Sequence, residues 1–86
     1  MTGFIVSAIN KGEEGLYYVS NTSPILWSKD IKEAKIFYSY QNAKNDLYEN
    51  FISLSATIQY TDIIAVFISE YVDNIEIRRD KFLWKI

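Results

Sequence analysis

Any chemistry in this chain has to proceed without imidazole or thiol, because its 86 residues include neither His nor Cys. That removes the commonest general base, the thiolate nucleophile, disulfides and the usual zinc ligands together. Acid–base work would fall to Asp, Glu, Lys or Tyr, whose pKa values must move far to serve near neutrality. Asp46 and Glu49 lie at i, i+3 on the polar side of a helical stretch, where paired carboxylates are ordinarily just a solvated face. Glu70, Asp73 and Glu76 could face a cation, but they lack the dense oxygen spacing of a calcium loop, and solvated hairpin carboxylates account for them. Ser and Thr are plentiful, yet no Gly-x-Ser-x-Gly elbow accompanies them. Gly12 and Gly15 are followed by no Lys-Ser/Thr pair, so they form no phosphate loop. The sequence therefore predicts no catalytic residue, no metal and no cofactor.

What remains is suited to binding. Aromatic residues make up 16% of the chain, more than a core this small can hide. Phe4, Trp27, Phe37, Phe51 and Phe67 have apolar neighbours and read as core. The tyrosines read differently. Adjacent strand residues point to opposite faces, so one of Tyr17 and Tyr18 should turn away from the core. Tyr38 and Tyr40 flank a strand-to-helix junction, and Tyr48 lies off the apolar helix stripe. Tyr brings large rigid area and a hydrogen-bonding tip, the combination found where partner proteins are gripped. The expected partner-binding set is Tyr18, Tyr38, Tyr40 and Tyr48, with Glu49 and Glu76 as acidic rim contacts. The alternative is that these tyrosines only cover an open sheet face.

The elements that must position them are legible from turn residues and periodicity. Residues 3–9 and 16–20 are β-branched and aromatic, and Lys11-Gly12-Glu13-Glu14-Gly15 supplies a turn between them, which predicts an N-terminal hairpin. Asn21-Thr22-Ser23-Pro24 ends the second strand, and Ile25-Leu26-Trp27 is a short extended piece. Ser28 or Asp30 caps a brief helix over 29–35, with Asp30 and Glu33 spaced as a capping box. Residues 35–38 read as a short strand. Ser39 then caps the main helix, residues 40–55, on which Ala43, Leu47, Phe51 and Leu54 form one stripe. A connection over 57–62 leads to a strand over 63–72, an Asp73-Asn74 turn and a returning strand from Ile75. That turn sets Tyr71 opposite Glu76 and Glu70 opposite Ile77. The tail 82–86 either extends the last strand past a bulge near Arg79-Asp80 or adds another. The order β-β-(α)-β-α-β-β predicts an α+β fold. Its expected form is a single antiparallel sheet of four to five strands, with one main and one short helix on one face.

Length and charge narrow the class further. The chain has room for a single domain, 1–86, and its Gly and Pro content is far too low for a linker. Without disulfides, and with Met1-Thr2-Gly3 running straight into an apolar segment, the expected location is cytoplasmic. The longest apolar run, Ile63–Ile68, is far short of a membrane span, which takes about 20 residues. A net charge of −2 does not favour sequence-independent binding to nucleic acid. The basic cluster Arg78, Arg79, Lys81 and Lys85 suits a strand edge kept charged against edge-to-edge pairing. A basic–Gly–aromatic signature of RNA-recognition modules is missing. The abundance of Ile, Lys, Tyr and Asn over Arg and Pro points to a low-GC genome.

The stretch Gly15-Leu16-Tyr17-Tyr18-Val19, Leu26-Trp27-Ser28-Lys29-Asp30, Glu33-Ala34-Lys35-Ile36-Phe37, Ser39 and Ala43 resembles a loose pattern in small phage and prophage proteins of low-GC Gram-positive bacteria. The resemblance implies an inhibitor of a bacterial host protein, such as an anti-CRISPR or other anti-defence protein, acting in the host cytoplasm without catalysis. It transfers no functional residue. The expected partner is then a bacterial protein, plausibly a defence nuclease complex. A structural homodimer, with the surplus aromatics and Phe82-Leu83-Trp84 at its interface, is the second expectation, and nucleic-acid binding the third.

Overall fold

The computed structural model describes residues 2–20 and 25–84. Five strands are present: β1 (Thr2–Asn10), β2 (Gly15–Ser20), β3 (Leu26–Ser28), β4 (Ile63–Val72) and β5 (Ile75–Trp84). Two helices, α1 (Tyr40–Glu49) and α2 (Phe51–Tyr60), interrupt them. Every pairing is antiparallel and the strand order is β3-β2-β1-β4-β5. The α+β class and the single antiparallel sheet expected from the sequence are what the chain adopts.

The first hairpin is closed by a side chain. Asn10 Oδ1 accepts from the Gly12 and Glu14 amides at 3.0 and 2.9 Å, an Asx-type turn. The left-handed residue there is Glu13, at φ 63°, and neither neighbouring glycine takes that role. Glycine matters instead at Gly3. A Cβ there would come within 2.7 Å of Ile36 Cγ2 and 2.8 Å of the Phe37 carbonyl oxygen. Residues 36–37 pass this close because Phe4 and Phe37 exchange amide hydrogen bonds of 3.0 and 2.7 Å, extending the sheet beside β1. The strand expected over 35–38 reduces to this one bridge. The expected break at residues 21–24 lies outside the described residues.

The brief helix expected over 29–35 is a 3-10 turn, Ile31–Glu33, capped by Asp30, whose Oδ1 accepts from the Lys32 amide at 2.9 Å. Glu33 does not reach back to Asp30. Ser28 Oγ donates to Glu33 Oε1 at 2.7 Å and accepts from the Asp30 amide at 3.0 Å, so serine holds both ends. The main helix starts as expected, with Ser39 Oγ accepting from the Asn42 amide at 3.1 Å. It then breaks at Asn50, whose φ −111° and ψ 24° leave the helix while its Nδ2 donates to the Asp46 carbonyl at 2.9 Å. The apolar stripe continues across the break but loses one member. Ala43 and Leu47 are buried in α1, Leu54 and Ile58 in α2, and Phe51 turns outward. Residues 57–60, expected in a connection, are the last turn of α2.

The second hairpin turns on Asp73 and Asn74, at φ 47° and 67°, and Tyr71 faces Glu76 as expected. The register then shifts between Ser69 and Tyr71, so that both Ile77 and Arg78 lie opposite Glu70. A second shift lies between Val66 and Phe67, and β5 runs on to Trp84. The sheet therefore ends on one side in a ten-residue strand that is twice irregular and carries four successive charged residues, Arg78 to Lys81. Both features discourage edge-to-edge pairing.

Alternation along β1 and β4 divides the sheet into two faces. Val6, Ala8, Val66 and Ile68 face the helices and join Ala43, Leu47, Leu54 and Ile58 in the main core. Ile5 and Tyr71 face the other way and pack with Ala34, Tyr17 and Ile31. The 3-10 turn expected beside the main helix thus sends its side chains to the opposite face. With only three residues, it follows the path of the chain from β3 back to Phe37 and cannot lie across the sheet as a helix.

Candidate functional site

The structure separates the expected partner-binding residues. Tyr18, expected at the surface, is fully buried. The alternation argument applied to the Tyr17/Tyr18 pair holds, but Tyr18 is the one that points to the helices and Tyr17 the one that points away. Its ring packs edge-on to Trp27 at 5.9 Å, and its hydroxyl donates to Asp46 Oδ2 at 2.7 Å. Burial first, and then the Asp46 carboxylate, hold the phenol far above its ordinary pKa. This residue is a polar rivet between β2 and α1 and offers nothing to a partner. Tyr40 is half-buried, edge-on to Phe4 at 6.2 Å. Tyr38 is the opposite case, 93% exposed on the rim of a hollow near the start of β1.

Glu76 is also committed internally. Its side chain is 9% exposed and takes hydrogen bonds from Ser7 Oγ, from Ser69 Oγ at 2.6 Å, and from Arg79 at 2.7 and 3.0 Å. Burial raises its pKa, but the bonds from Ser69, Ser7 and Arg79 outweigh that and leave it below the ordinary carboxylate value. Ser7 and Ser69 are each 1% exposed, so no substrate can reach either hydroxyl. A serine–carboxylate arrangement therefore exists here as structure, not as a nucleophile. Glu70 and Glu76 point to opposite sides of the sheet, and Asp46 is taken by Tyr18 and, at 3.8 Å, by Lys35. Among the described residues, no three metal-ligating side chains converge.

One aromatic ridge does form, at the α1–α2 break. Tyr48, 56% exposed, stacks with Phe51 at 6.5 Å and meets Phe82 of β5 edge-on at 5.3 Å. Lys44 lies one helical turn before it, its ammonium 5.9 Å from the Tyr48 ring. Ile52, the next residue after Phe51, is 88% exposed, and Glu49, the last residue before the break, is exposed as well. Of the expected set, the ridge takes in Tyr48, with Glu49 next to it in sequence. The residues missed were Phe51, assigned to the core, and Ile52. The signal that could have found them was Asn50, a residue whose side chain competes with the helix backbone. Once the helix is broken there, residues after it need not continue the stripe. Compared with known protein families, characterised proteins and solved structures, the chain matches none.

Proposed function

We propose that this domain acts without catalysis, by gripping another protein through the ridge formed by Tyr48, Phe51, Ile52 and Phe82. The observation that carries the reading is Ile52. A β-branched apolar side chain stands 88% exposed next in sequence to one of two stacked aromatic rings, and exposed apolar surface of this kind marks interaction sites. The surrounding Lys44 and Glu49 supply a charged rim of the kind that surrounds apolar anchors in protein interfaces. The phage-like pattern in residues 15–43 supports a bacterial host protein as the partner, and within that class a defence nuclease such as a CRISPR effector, which the domain would inhibit by occlusion.

The test is capture from a lysate of a low-GC Gram-positive bacterium carrying such a nuclease, with wild-type protein and the Ile52→Glu and Tyr48→Ala variants side by side. The expected result is a bacterial protein enriched by the wild type, lost with both variants and rebound from purified components. Enrichment that the variants leave unchanged would move the interface elsewhere. A wild-type dimer in sedimentation that Ile52→Glu dissociates would replace this reading with self-assembly, the second function expected of the sequence.

A further inference from the structure

Glu70 is the one carboxylate of the second hairpin whose setting the fold does not explain. It is half-buried in β4 and lies opposite Phe4 of β1. No described residue makes a hydrogen bond or ion pair to it. It lines a hollow of about 480 Å3 with Thr2, Gly3, Phe4, Tyr38, Tyr71 and Val72, within the size range of small-ligand sites, roughly 300–1,000 Å3. Among the described residues it is the only charged one of that lining.

The walls around it are aromatic. Phe4 meets Tyr40 edge-on at 6.2 Å and lines the hollow. Tyr38, nearly free in solvent, is able to turn over the opening. Tyr71 adds backbone more than ring, since its side chain packs with Ile5 and Ala34 and its hydroxyl donates to Asn74 at 2.6 Å. A carboxylate that shares a hollow with aromatic residues is complementary to an organic cation, and a planar cation can satisfy both partners at once: it stacks on rings and forks onto the carboxylate.

We infer that this hollow is a guanidinium site, with Glu70 as the acceptor and Phe4 and Tyr38 as the stacking surfaces. The site shares no residue with the Tyr48–Phe51 ridge and does not depend on it. Arg78 is placed opposite Glu70 by the register shift, yet the two form no ion pair. Arg78 is not among the described residues that line the hollow, so it is not its occupant.

The test is an NMR titration of the intact protein with capped arginine (N-acetyl-arginine methylamide), read at the Phe4, Tyr38, Glu70 and Val72 signals. Saturable shifts with a millimolar dissociation constant are expected. Capped citrulline, the uncharged isostere, should not bind, and capped lysine should bind more weakly. Glu70→Gln should weaken capped arginine about tenfold or more, Tyr38→Ala roughly two- to fivefold, and Arg78→Ala should leave it equal or tighter. Tyr38 is too exposed for its loss to unfold the domain, so that arm stays interpretable even if Glu70→Gln is unstable. The source of the group is read by comparing capped arginine with agmatine: preference for the capped residue assigns a partner's arginine, preference for agmatine a free guanidino compound. No saturation up to the solubility limit, equal response to citrulline, or unchanged affinity in Glu70→Gln would overturn the assignment.

Discussion

The two faces of the sheet are buried equally well by opposite means. On one face Val6, Ala8, Val66 and Ile68 lie under α1 and α2, and hydrocarbon packing closes the core. On the other, Ser7 and Ser69 are as deeply buried with no helix above them, covered by the Glu76 and Arg79 side chains of the edge strand. Arg79 completes the cover by resting over Phe67, at 5.3 Å from the ring centre. The lesson is that α1 and α2 cover one side only, and part of the other is closed by a polar lid of Glu76 and Arg79 over Ser7 and Ser69. The two sides should therefore fail under different insults.

The largest expected effect is on the helix side. Leu47→Ala or Leu54→Ala removes a fully buried side chain and should cost about 2–5 kcal/mol by urea denaturation, enough to threaten a domain this small. On the lid side, Glu76→Gln removes a charge that three side chains contact and should cost about 1.5–3 kcal/mol at pH 7. The sign with pH is fixed by the depressed pKa of Glu76. Its contribution is present above the ordinary carboxylate value of 4.5 and is lost as pH falls through its lower folded value. Wild type and variant should thus converge in acid; a gap that persists at pH 2 would mean the lid works through shape and not charge.

The helix side has one polar contact of its own, and its pH dependence runs the other way. Tyr18 is held protonated by burial and by Asp46, so what the contact contributes is intact below the ordinary phenol value of 10.0 and is lost as pH rises toward the raised folded value. Tyr18→Phe should cost about 1 kcal/mol at pH 7 and remove part of the alkaline loss of stability seen in the wild type. Acid sensitivity on one face and alkali sensitivity on the other would be the clearest sign that the two are closed independently. If Glu76→Gln altered the alkaline limb, or Tyr18→Phe the acid limb, that independence would fail.

How far the sequence reveals this depends on whether a signal is local. Ser39, the Asp73-Asn74 turn and the Lys11–Gly15 turn act within a few residues, and all were legible, though not the Asn10 side chain that closes the last. The Tyr71–Glu76 pairing followed from the turn alone. The lid did not, because Ser7 and Glu76 are 69 positions apart and meet only through the order β1-β4-β5. The same topology decides which of Tyr17 and Tyr18 is inward, a question that alternation poses but cannot answer. The ridge was missed for a different reason. Propensity and spacing carry the helix smoothly through residues 47–54, and only the competition between the Asn50 side chain and the backbone, settled by tertiary packing, breaks it there.

The smallest expected effect on stability falls on that ridge, and there the smallness is itself informative. Ile52 contributes almost no buried area, so Ile52→Glu should change unfolding by no more than about 0.5 kcal/mol in either direction. Ile52 belongs to neither closed face and leaves an apolar side chain in water. Thermal denaturation of the variant separates the possibilities. An unchanged midpoint, together with loss of a bound partner, places Ile52 in an interface. A drop comparable to that of Leu54→Ala would instead show that the ridge closes over its own apolar surface in solution, making it a third piece of core and removing the support for a partner there.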